Sequence, residues 1–97
     1  MSVTNIIMLV KDRPRLTQQT LRTLFRTTPT DQFNLVLVDD GSSDYKETVA
    51  EILHLYLQRP NVAMLQIWNS KSITGQARNL GIYWAEKYWG RGDYLYL

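Results

Sequence analysis

The sequence contains no cysteine, which excludes disulfides and every thiolate metal site. It has a single histidine, His54, for which a histidine-based triad has no evident partner. No glycine precedes Gly41, so neither a G-x-G-x-x-G turn nor a P-loop can follow the first apolar segment. Long hydrophobic runs are missing too. The longest is Ile6-Ile7-Met8-Leu9-Val10, far short of the ~20 residues that cross a bilayer. The N-terminus lacks the charged start and apolar stretch of a signal peptide, and a cytoplasmic location is the default expectation. Excess charge is small, +2 with no Lys/Arg block, which argues against a nucleic-acid partner.

What is present is ordinary globular composition, 44% hydrophobic and 21% charged in 97 residues. That is one domain or less, with a core of little margin. Strands and helices alternate strictly. Ile6 to Val10 is apolar on both faces, the mark of a strand covered from both sides. Pro14 suits the first turn of a helix, where its missing N–H costs nothing. That helix carries Leu16, Leu21, Leu24 and Phe25 and stops at Thr28-Pro29. Leu35 to Val38 is the second strand.

Asp44 and Glu47 then have capping-box spacing, and Val49, Ile52, Leu53 and Tyr56 form an amphipathic stripe. His54 falls off that stripe and reads as solvated. Val62 to Trp68 is the third strand. A last helix places Ala77, Leu80, Gly81, Trp84, Ala85 and Tyr88 at helical spacing, with Thr74 or Ser72 as its cap and Gly90 and Gly92 as its stop. Asp93 to Leu97 begins a fourth strand. Trp68 and Trp84 read as packing residues, with Trp89 open between packing and a sugar platform.

Helices between strands imply right-handed βαβ units. The expected fold is therefore α/β, a Rossmann-like three-layer α/β/α arrangement with a mostly parallel sheet of about four strands. A half-made strand is a poor place for a domain to finish, so residues 1–97 are expected to be a single, truncated unit.

In open α/β sheets, ligands bind beyond the carboxyl ends of the strands. There the sequence places Lys11-Asp12-Arg13 after the first strand, Asp39-Asp40 after the second and Asn69-Ser70-Lys71 after the third. The first turn of the last helix adds N–H groups that favour an anion. A carboxylate at this edge can accept from a nucleobase or from ribose hydroxyls, and an arginine can clamp phosphate or stack on a base. Asp39-Asp40-Gly41-Ser42-Ser43-Asp44 reads equally well as a turn and helix cap. Receiver-type domains also carry paired acids on a parallel sheet, but after the first strand, where this chain has Lys11-Asp12.

Taken together, the pattern resembles the N-terminal part of family 2 glycosyltransferases, of the GT-A fold. The likeness rests on four stretches in order: Ile6 to Val10 with Lys11-Asp12-Arg13-Pro14; Leu37-Val38-Asp39-Asp40-Gly41-Ser42-Ser43-Asp44; Gly75-Gln76-Ala77-Arg78-Asn79-Leu80-Gly81; and Gly92-Asp93-Tyr94-Leu95-Tyr96-Leu97. It implies the nucleotide-sugar-binding half of an inverting glycosyltransferase, with UDP-sugar the favoured donor and the acceptor open. By this resemblance Asp39 and Asp40 hold the base or ribose, with Asp40 at the base imino proton. Leu9 and Val10 line the base pocket, Arg13 approaches a phosphate, and Arg78 contacts the nucleotide.

The resemblance also implies a divalent metal (Mn2+ or Mg2+) in the complete enzyme, with ligands beyond this chain, and no catalytic residue within it. The isolated chain is thus expected to be inactive. The alternative is a non-catalytic nucleotide-binding or scaffolding module, and the exposed edge of the fourth strand offers a route to self-association.

Overall fold

The computed structural model describes residues 3–42, 54, 56–67 and 75–97. Four strands, β1 (Thr4–Val10), β2 (Phe33–Asp40), β3 (Val62–Ile67) and β4 (Asp93–Tyr96), form one sheet in the order β3-β2-β1-β4. Every adjacent pair is parallel. Helix α1 (Pro14–Thr27) joins β1 to β2, and helix α2 (Gln76–Trp89) precedes β4. The expected α/β/α layering and parallel sheet are present. The second expected helix falls outside the described residues apart from His54, which is exposed, and Tyr56, which is buried. Trp68 and the residues expected to cap the last helix also lie outside them. No helix among the described residues is long and apolar enough to cross a membrane.

The double-sided apolar strands sort into two cores by alternation, since successive residues of a strand face opposite sides. Ile6, Met8 and Val10 of β1 join Phe33, Leu35 and Leu37 of β2 and Leu21 of α1 on one face. Ile7, Val36 and Val38 join Ala77 and Ala85 of α2 on the other. β2 is one of the two inner strands, with Leu35 through Asp39 essentially closed to solvent.

α1 begins with Pro at its first position and no side-chain cap. The Thr17 N–H donates to the Arg13 carbonyl to close the first turn. α2 differs from its sequence pattern. Its buried line is the small-residue series Ala77, Gly81 and Ala85, while Leu80 and Tyr88 are 37% and 59% exposed. The reason is distance: a Cβ on Gly81 would lie 2.7 Å from Ile7 Cγ2 and 3.2 Å from Val38 Cγ2. Only a bare helix face can approach the sheet that closely. Trp84 meets Trp89 edge-on with centroids 4.9 Å apart, and both pack against the α2-side core, so Trp89 serves packing here. At its C-terminus Gly90, at φ 86°, ends the helix, with its N–H bonded to the Glu86 carbonyl.

A polar seam ties the amino ends of the strands together. Asn5 Nδ2 donates to the Gly90 carbonyl at 3.2 Å, and Asn34 Nδ2 donates to Asn5 Oδ1 at 3.1 Å. Asn5 is buried, and these bonds satisfy its amide.

Candidate functional site at the β1–β4 switch

Strand order runs outward from β1 through β2 to β3 and then resumes with β4 on the opposite side of β1. The reversal falls between β1 and β4, where open α/β sheets form a crevice beyond the strand carboxyl ends. A crevice of about 730 Å³ lies there, lined among others by Leu9, Val10, Arg13, Leu16, Asp40 and Leu97. That volume lies within the range of small-molecule sites. Leu97, the residue after β4, forms part of one wall: its N–H donates to the Ile7 carbonyl at 2.9 Å, and its carbonyl accepts the Leu9 N–H at 3.2 Å.

The six residues singled out from sequence divide three ways. Leu9, Val10, Arg13 and Asp40 line the crevice together. Leu9 is 41% exposed, whereas Val10 is buried, so Val10 can offer little beyond its backbone. Asp40 is half-buried at the end of β2.

Asp39 stands apart. It faces the α1 side with Leu35 and Leu37 and is fully buried. Its Oδ1 accepts from both the backbone N–H (3.1 Å) and the hydroxyl of Ser42, and its Oδ2 accepts from Gln66 Nε2 at 3.3 Å. A buried carboxylate without such donors would be costly. These bonds explain how β2 can end in a charged residue inside the fold. Gly41 at φ 73° makes the turn that brings Ser42 back onto Asp39, a backbone state glycine adopts freely.

Arg78 lies on the first turn of α2, outside the crevice lining. Its guanidinium carbon sits 4.8 Å from the ring centroid of Tyr96. Tyr96 is the chain neighbour of the crevice residue Leu97, so Arg78 sits across the β4 edge from the crevice and on the α2 face. Lys71 and the rest of the third loop lie outside the described residues.

One participant was missed from sequence. Ser42 Oγ accepts the Asp12 N–H at 3.0 Å, linking the loop after β1 to the loop after β2. Asp12 is the one non-glycine residue with positive φ, 49°, among the described residues. No group of three or more His, Asp or Glu that could hold a metal occurs among them. Asp39 is committed to Ser42 and Gln66, and the two carboxylates that line the crevice, Asp12 and Asp40, are fewer than such a group needs. The residues described therefore do not fit a metal, and no metal-dependent step is derived for them.

No protein-family model matches the sequence, and no curated protein matches it either. Solved structures do resemble it. A crystal structure of TarS residues 1–349 from S. aureus matches with a TM-score of 0.75 and 21% identity over 98% of this chain. The mannosyltransferase PcManGT from Pyrobaculum calidifontis, in complex with GDP-Man and Mn2+, matches with a TM-score of 0.67 and 19% identity over 87% of it. The chain spans about a quarter of each, 26% and 24%. The likeness shows the fold: a parallel α/β architecture matching part of the GT-A fold of these glycosyltransferases.

Proposed function

We propose that the β1–β4 crevice binds the nucleoside diphosphate portion of a nucleotide sugar, as part of an enzyme that transfers the sugar to an acceptor with inversion. The observation that carries this reading is a coincidence of position. The crevice stands where strand order reverses, and it gathers an apolar wall (Leu9, Leu16 and Leu97, with the Val10 backbone), a carboxylate (Asp40) and a guanidinium (Arg13). A planar apolar base, its hydrogen-bonding edge and an anionic diphosphate need those three things. The GDP-Man bound to one structural neighbour adds support.

Within this reading the two aspartates have different tasks. Asp40 accepts from the base. A carboxylate offers about four lone-pair sites, so a bond within the protein leaves capacity for a ligand. Asp39 holds the turn that presents Asp40. Arg13 meets phosphate. Arg78 contacts the nucleotide by leaving Tyr96, a cation–π contact worth only about 0.5–1 kcal/mol at an exposed site. Uridine is the favoured base. The residues present bind and orient the donor.

The test is an amide NMR titration with UDP and with GDP, each with and without Mn2+. Saturable shifts at Leu9, Arg13 and Asp40 are expected with UDP. Asp40→Ala removes a charge-assisted hydrogen bond and is expected to weaken UDP binding by about 10–100-fold. A well-dispersed spectrum that ignores both nucleotides, or an Asp40→Ala variant that binds as tightly as the parent, would sink the reading.

A further inference from the structure

We propose that Ser42 is a positioning residue that fastens the two sides of the crevice to each other through a single hydroxyl. The proposal rests on the nucleotide-site reading above, but its first test does not.

The chemistry fixes the direction of every bond. A serine hydroxyl has one proton and two acceptor lone pairs. The Asp12 backbone N–H, 3.0 Å from Ser42 Oγ, can only donate, so the oxygen accepts there. The hydroxyl proton is then left for Asp39 Oδ1, which also takes the Ser42 N–H. The buried Asp39 carboxylate thus reaches across 30 residues of sequence to hold one particular N–H of the β1 loop.

That N–H belongs to a residue in an unfavourable backbone state. Asp12 sits at φ 49°, a left-handed conformation in which Cβ crowds the following carbonyl. Loss of the Ser42 bond removes one of the interactions that hold Asp12 in that state and favours relaxation toward negative φ. Lys11 and Arg13 flank Asp12 and both line the crevice, so such a relaxation would re-aim them relative to Asp40. Ser42 itself does not line the crevice. It acts on the ligand only by holding Arg13 and Lys11 in register with Asp40, a pre-organisation that spares the ligand the cost of ordering the loop.

The experiment compares Ser42→Ala, Ser42→Thr and Ser42→Cys with the parent chain. Thr keeps the hydroxyl; Cys keeps the volume and weakens the bonds, and serves if the alanine variant does not fold. The first readout uses no ligand: the Asp12 amide proton. In Ser42→Ala it is expected to shift upfield and to exchange about five- to tenfold faster, as loss of one net hydrogen bond implies. Thr is expected to restore both.

The second readout is the dissociation constant for UDP at a temperature where all variants are folded. It is expected to rise about five- to tenfold in Ser42→Ala and to return in Ser42→Thr. An Asp12 amide indifferent to Ser42→Ala overturns the clasp. An amide that responds while UDP affinity stays at the parent value overturns the positioning role. Failure of the parent chain to bind either nucleotide instead refutes the nucleotide reading and the role built on it, leaving the clasp itself to be decided by the amide.

Discussion

Gly81→Val is expected to remove about 3 kcal/mol or more of stability, against a total of roughly 5–15 kcal/mol for a domain of this size. The warrant is the 2.7 Å separation between an added Cβ and Ile7 Cγ2, with Val38 Cγ2 at 3.2 Å. Both partners are buried in the α2-side core, so neither can swing away. Gly81→Ala makes the same collision with one carbon. Its cost of about 1–3 kcal/mol is offset by up to about 1 kcal/mol of better helix propensity, leaving a smaller net loss. Shortening the opposing side chain isolates the effect. Ile7→Ala alone should cost about 2–5 kcal/mol, but on that background Gly81→Ala should be neutral or stabilising. Urea denaturation of the four proteins in the cycle reads the coupling directly. Additive effects would mean that α2 can shift outward at little cost, and the close approach would lose its significance.

Asp39→Ala is expected to cost about 3 kcal/mol, because it strands donors as well as removing an acceptor. The Ser42 N–H, the Ser42 hydroxyl and Gln66 Nε2 all point at that carboxylate. Ser42 and Gln66 are only half-buried, so water recovers part of the loss and keeps the figure from rising further. Asp39→Asn should cost about 1 kcal/mol. Its Oδ1 keeps both Ser42 bonds, and the Gln66 amide can turn its oxygen toward the new Nδ2. A shift of the urea midpoint with unchanged slope would mark the loss as stability rather than a change in the denatured chain. If alanine and asparagine cost the same, the Ser42 bonds contribute little and the account of Asp39 as a turn-holding residue fails.

The contrast between Asp39 and Asp40 shows where sequence reading reached and where it stopped. The strands were legible because Ile6 to Val10 and Leu35 to Val38 are apolar without alternation. That requires cover on both faces, and α1 and α2 supply it. The limits of α1 were legible from Pro14 and Thr28-Pro29. The two aspartates were read as a pair. Yet adjacent residues on a strand face opposite sides, so counting from Leu37 already puts Asp39 toward α1 and Asp40 away from it.

The buried line of α2 was misjudged for a different reason. Hydrophobic spacing weights large residues, so Leu80 and Tyr88 were expected inside; here the smallness of Ala77, Gly81 and Ala85 decides which face meets the sheet. The contact of Arg78 with Tyr96 joins residues 18 apart and was not legible from local spacing either. Ser42 was legible as a turn residue after Asp39, but its bond to the Asp12 amide was not, since a contact 30 residues away has no local pattern.

The polar seam at the amino ends measures how unequal the sheet's seams are to assemble. Asn5 meets Asn34 across 29 residues of chain but meets Gly90 across 85. Closing a loop about three times longer costs roughly 1 kcal/mol more in chain entropy. On this loop length alone, the β1–β4 pairing is expected to form after the β1–β2 pairing during folding and to open before it in local fluctuations. Amide exchange should register this as faster labelling of β4 than of β2. Because Leu97, which follows β4 directly, lines the crevice, detachment of this strand and ligand occupancy are competing equilibria. A molecule bound between β1 and β4 slows the exchange of that strand in proportion to its own affinity.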